Sequence, residues 1–165
     1  MTGHFLVGGI IFSLLMDADH IFHLGQKETA RQVRNLRNIF HYPLLYIPTG
    51  MIVVSFFSIP WAVLFGLCSL THFIHDSIGI GWGVQWFYPF STNHYSFFYL
   101  YHPKDKEKLP WKAVYVFKHQ DIEALDKKHG DAHWVKNVYL KWHPYAIVEF
   151  LVFIVAVIIL YFYIQ

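Results

Sequence analysis

Long apolar runs separated by short polar clusters set the pattern of this chain. Tyr42–Ser58 and Trp61–Ile78 are parted only by Ile59-Pro60, which predicts a tight helical hairpin. Each run has about 17 residues, near the lower limit for crossing the hydrocarbon core of a bilayer. Tyr145–Ile164 carries one charge, Glu149, and is the clearest span of the set. Phe5–Met16 is shorter, about 12 residues, and predicts a tilted or partial membrane helix. Its Gly8-Gly9 pair would let a neighbouring helix approach closely. Beyond the third run, Gly79, Gly81 and Gly83 predict a flexible exit, and Trp82, Trp86, Phe87 and Tyr88 a membrane-edge belt. Ala113–His133 has helix-forming composition and predicts a short helix lying on the membrane face. The expectation is therefore all-α: a multi-pass bundle of about four membrane helices in one domain, 1–165, with a helical and loop segment over 81–144.

Composition agrees with that pattern. Only 15% of the residues are charged and 55% are hydrophobic, against roughly 25% charged in soluble domains. The net charge of +2 is too small, and too dispersed, for a nucleic-acid surface. The single cysteine, Cys68, excludes a disulfide framework. No basic n-region or small-residue cleavage site accompanies the first apolar run, so no cleaved signal is expected. All 13 Lys and Arg residues fall between Gln26 and Arg37 or between Lys104 and Lys141. With one crossing before the first segment and a hairpin between the two, both lie on one side. The positive-inside rule makes that side the cytoplasm of an inner membrane, with the lipid bilayer as partner.

Charge placement then directs attention to the helix ends. Asp17, Asp19 and His20 follow the first run, with His23 a turn later; His41 precedes the second; His72, His75 and Asp76 end the third. The expected topology brings all of these to one face. His72 and Asp76 are spaced i and i+4, which puts an imidazole and a carboxylate on one helical face, and such pairs bind metal in helical bundles. Asp17, Asp19 and Asp76 all sit at the unfavourable, carboxyl end of a helix dipole. A divalent cation among them removes that objection, and zinc accepts both donor types. His41, at a helix amino terminus, is favoured as the neutral imidazole that a metal requires. His129 and His133 share the i, i+4 spacing in a Lys-rich stretch and are expected on a solvated surface. His94, His102, His119 and His143 have no patterned partners and are expected at the surface or interface.

These residues resemble a known family, the bacterial membrane-bound metal-dependent hydrolases, which include an inner-membrane group described as LexA-binding. The family pattern runs Pro-Asp-x-Asp-His, His-Arg-Gly-x-Thr-His-Ser, Ser-His-x-x-x-Asp-Ser and Trp-Pro-Phe. Asp17, Asp19 and His20 match the first element, Arg37 and His41 parts of the second, His72, Asp76 and Ser77 the third, and Pro89-Phe90-Ser91 the last. Met16, Leu36, Asn38, Phe40 and Tyr42 depart from it. The resemblance covers roughly residues 1–91 and extends distantly to zinc-dependent phospholipase C and P1-type nucleases. It implies hydrolysis of a phosphoester, such as a lipid head group. The implied ligands are Asp17, Asp19, His41, His72 and Asp76, with His20 and His75 beside them. Asp19 or Asp17 is the expected general base where metal does not fully engage it, and Arg37 the group that steadies phosphate through its planar fork. His4 matches a histidine that often opens the family, but an unbroken helix would hold it about 22 Å from Asp19.

Two other readings compete with this one. A metal-stabilised scaffold or regulatory protein needs the metal site but no turnover. A di-iron desaturase or hydroxylase needs more paired histidine boxes than His20/His23, His41 and His72/His75 supply.

Overall fold

The computed structural model describes residues 2–16, 41–131 and 133–164. Its elements are α1 (Thr2–Leu15), α2 (Pro43–Ser55), α3 (Ile59–Asp76), β1 (His94–Phe97), β2 (Val114–Phe117), α4 (Ile122–His129) and α5 (Pro144–Ile164). A 3-10 turn, His119–Asp121, leads into α4, and a π-helical turn, Lys136–Leu140, precedes α5.

The apolar runs form helices, but the four-span bundle is not the architecture. Among the described residues no helix is long and apolar enough to cross a membrane. At 1.5 Å per residue, α1 with 14 residues and α2 with 13 reach about 20 Å against the roughly 30 Å of a bilayer core. The last turn of α3 is given to His72, His75 and Asp76. The transmembrane, multi-pass description is corrected accordingly, and the sidedness drawn from the basic segments loses its premise.

The helices pack through small residues. Phe56, Phe57 and Ser58 link α2 to α3, and Pro60 sits in the first turn of α3, where its missing N–H costs nothing. Gly50 lies against Phe65 and Gly66 against Met51, so each helix gives way to a bulky side chain of the other. Gly8 of α1 makes the same room for the indole of Trp61. Phe5 stacks on Trp61 and Phe12 meets Phe65 edge-on, which fixes α1 alongside α3 in the same direction. Met16, Phe73 and Val84 form the core where these helices meet the following segment, with Tyr46, Ile47 and Trp86 against them. Large apolar side chains remain exposed on the helices and the α2–α3 link, among them Leu14, Ile52, Phe56, Phe57 and Phe153.

The segment expected to carry one surface helix folds instead around a two-stranded antiparallel sheet. His94 pairs with Phe117 and Phe97 with Val114. Val114, Tyr115, Val116 and Phe117 are β-branched or aromatic and alternate outward and inward, the pattern that fits a half-buried strand and not a helix. Helix returns only at Ile122. Of the belt expected at the membrane edge, Phe87 is exposed, whereas Trp82 and Trp86 are half-buried within this unit. Trp82 packs on Tyr99 and Phe117, and the Trp86 indole donates to Ser77 Oγ at 2.8 Å. A last cluster of Tyr101, Val138 and Ala146 joins the sheet segment to the base of α5.

Candidate metal centre

Two short-range features bring three ligand-bearing residues together. His72 and Asp76 share one face of the last turns of α3. His41 lies two residues ahead of α2, whose first residue is Pro43, and the residue before a proline avoids the helical region. That breaks the chain at Tyr42 and leaves His41 outside the helix, turned toward the end of α3. His41 Nε2 lies 3.5 Å and His72 Nε2 3.4 Å from the same oxygen, Asp76 Oδ2. One ligand atom from each of the three residues falls within 4.8 Å of the others. His41 is buried, and the side chains of His72 and Asp76 are only 14% and 19% exposed.

The electrostatics of this cluster are those of an ionised carboxylate among imidazoles. Burial alone would raise the Asp76 carboxyl. The imidazoles of His41, His72 and His75 around it reverse that and hold it well below the usual carboxylate range.

His75 is turned elsewhere. Its Nδ1 lies 3.7 Å from Asp76 Oδ1, but Nε2 makes its direct contact with Glu149 Oε1 of α5 at 2.7 Å. Tyr139 donates to the other Glu149 oxygen, also at 2.7 Å. Asp76, and then Glu149, favour the protonated ring against partial burial and raise His75 to about 9. A group raised in the fold contributes stability that is complete below its unfolded value and lost as pH rises through the folded one. His75→Gln is therefore expected to lower the melting temperature at pH 6 and to match the wild type above about pH 9. The imidazole is 60% exposed, so the gap should be small and should shrink in high salt. A gap that widens with pH would contradict this ion pair.

Of the residues named from sequence, the structure brings together His41, His72 and Asp76 and places His75 next to them. His4 is not with them. Helix α1 runs unbroken through Gly8-Gly9, so His4 stays beside the start of α3, about 16 Å of helix from His72. Asp17, Asp19, His20, His23 and Arg37 lie outside the described residues. Glu149 escaped the sequence reading, although a lone carboxylate in an apolar run signals a partner. Of the histidines expected at the surface, His119 and His133 are exposed, but His94 and His129 are internal. His94 is buried, with Nε2 within 3.0 Å of the Gln85 amide and 3.1 Å from His119 Nδ1. His129 is buried with Nδ1 2.6 Å from the Glu107 carbonyl.

A cavity of about 540 Å³ opens beside the cluster, with His41, His75 and Asp76 on its wall. Its wall also includes Trp82, Tyr99, Asp126, Asp131 and Tyr139. Its size falls within the range of small-molecule sites. Compared with family models, curated proteins and solved structures, the chain has no match.

Proposed function

We propose that His41, His72 and Asp76 hold a divalent transition metal, zinc being the ion the donor set fits, and that this centre hydrolyses a phosphoester. The carrying observation is the separation of the donor atoms. Ligands at 2.0–2.1 Å in a tetrahedron lie about 3.3 Å apart, close to the 3.4 and 3.5 Å measured about Asp76 Oδ2. Direct charge-assisted hydrogen bonds would draw the same atoms to about 2.7–2.9 Å. Three protein ligands beside an open cavity are the arrangement of catalytic zinc, where structural sites close with four. A metal bound there would lower the pKa of a water and stabilise phosphoryl oxygens. The phosphoester rests on the motif resemblance across residues 17–91. The exposed apolar surface of the helices supports an amphiphilic ester, such as a lipid head group.

The test is hydrolysis of bis(p-nitrophenyl) phosphate by the purified chain, stripped with chelator and then titrated with zinc. Turnover is expected to be absent in the stripped protein and to return at stoichiometric zinc. Binding of zinc without turnover of any phosphoester would instead establish the metal-stabilised scaffold.

A further inference from the structure

Charge is distributed unevenly about the cavity. The chain has 13 basic and 11 acidic residues, and nine of its lysines lie between Lys104 and Lys141, the segment that forms much of the cavity wall. Yet the lining includes Asp76, Asp126 and Asp131 and, among the described residues, neither Lys nor Arg. The neighbouring lysines are engaged elsewhere: Lys127 pairs with Glu123 at 3.2 Å, Lys128 with Glu107 at 2.9 Å, and Lys141 donates to Asn137 at 2.7 Å. A divalent metal on Asp76 would leave one positive charge at that end, with Asp126 and Asp131 still anionic on the rest of the wall.

Those two carboxylates are held in place by neutral donors. The Trp82 indole donates to Asp126 Oδ1 at 3.1 Å. Asp131 accepts from the Tyr101 hydroxyl, from Asn137 Nδ2 at 2.7 Å and from the His133 backbone N–H at 2.8 Å. The wall these groups share with the metal cluster is largely aromatic, with Trp82, Tyr99, Tyr101, Trp134, Tyr139 and Tyr145. A small hydrated cation gains little from such walls, because they give few oxygens in exchange for its water. A diffuse organic cation gains from both features, since ring faces attract it and the carboxylates complete the charge.

We infer that this aromatic and acidic half of the cavity binds an alkylammonium group. As a statement about substrate it rests on the proposed function: the ester would carry its phosphate at the His41–Asp76 end and an ammonium arm at the Asp126–Asp131 end. As a statement about binding it stands independently of the metal.

The experiment titrates tetramethylammonium into the full chain, metal-stripped and zinc-loaded, and follows tryptophan fluorescence. Sodium chloride at equal ionic strength and tert-butanol, a neutral molecule of similar shape, are the controls. Saturable binding is expected with tetramethylammonium and about tenfold weaker binding with tert-butanol. Asp126→Asn combined with Asp131→Asn should weaken tetramethylammonium by a similar factor, and His72→Ala should leave it unchanged. If the double variant misfolds, Trp134→Ala, at a partly exposed wall position, supplies the same comparison. Equal affinity for tert-butanol, no saturation with tetramethylammonium, or full affinity in both wall variants would overturn the inference. Saturable, charge-dependent binding in a chain that hydrolyses no ester would retain the ammonium site and remove the hydrolase reading.

Discussion

Asp76→Asn is expected to abolish the stabilisation that zinc gives the wild-type chain. A ligand that binds only the folded state stabilises by RT ln(1 + [L]/Kd), about 2.7 kcal/mol at a hundred times Kd. Asn preserves the shape of Asp76 but replaces the anionic oxygen shared by His41 and His72 with a neutral donor and acceptor. Loss of an outer-shell partner costs metal sites 10–100-fold in affinity, so loss of this oxygen should cost more than about a hundredfold. His72→Ala should do the same. Thr71→Ala, at an exposed neighbour whose hydroxyl bonds to carbonyls of its own helix, should retain the full zinc response. Melting temperature against zinc concentration reads all three. A cluster that was only a His–Asp ion pair would give a different result, with Asp76→Asn equally destabilising in zinc and in chelator. In chelator the sign of the pH dependence is fixed by the depressed Asp76 value. Its contribution is complete above the unfolded carboxylate value near 4 and is lost as pH falls through the folded one.

The positions of the helices were legible because apolar runs bounded by Pro60, Pro43 and the His72–Asp76 cluster leave little alternative. Their relation to a bilayer was a separate inference from length and hydropathy. It went too far because 13- and 14-residue helices can bury one another through Gly8, Gly50 and Gly66 without spanning anything. The sheet was obscure for a different reason. Its strands have four residues each, and β1 is paired with a strand twenty residues further on. The alternation of Tyr115 and Phe117 sits in a lysine-rich stretch whose average composition favours helix. The meeting of His41 with His72 and Asp76 was drawn from a membrane topology, but the structure produces it locally. A short antiparallel hairpin returns the end of α3 to the start of α2, and Pro43 keeps His41 outside the helix. The contacts of Glu149, His94 and His119 depend on tertiary packing that no spacing rule records.

Gly83→Ala should be among the most destabilising single-methyl additions in the chain, and it should separate the two ends of the cavity. Gly83 has φ +76°, where a side chain is strained, and an added Cβ would overlap the backbone carbonyl of Tyr95. That carbonyl accepts the Val84 N–H at 3.1 Å, and the Tyr95 N–H returns to Val84 at 2.9 Å. The bridge anchors the loop that carries Trp82 and Gln85 to strand β1. Strain plus the lost bridge should cost roughly 3 kcal/mol, or about 6–12 °C in melting temperature for a chain of this size. Gly81→Ala is the matched control. Its φ is +92°, but nothing lies within 4 Å of an added Cβ, so only the conformational cost of about 1–2 kcal/mol remains. The larger effect at Gly83 should also be local. The metal ligands are carried by the α2–α3 hairpin, which meets this bridge through the Val84 side chain against Phe73, whereas Trp82 and its bond to Asp126 hang on the displaced loop itself. Gly83→Ala should therefore weaken alkylammonium binding while zinc still raises the melting temperature. Loss of both together would mean that the hairpin and the sheet segment fold as one cooperative unit, with the cavity as their shared interface.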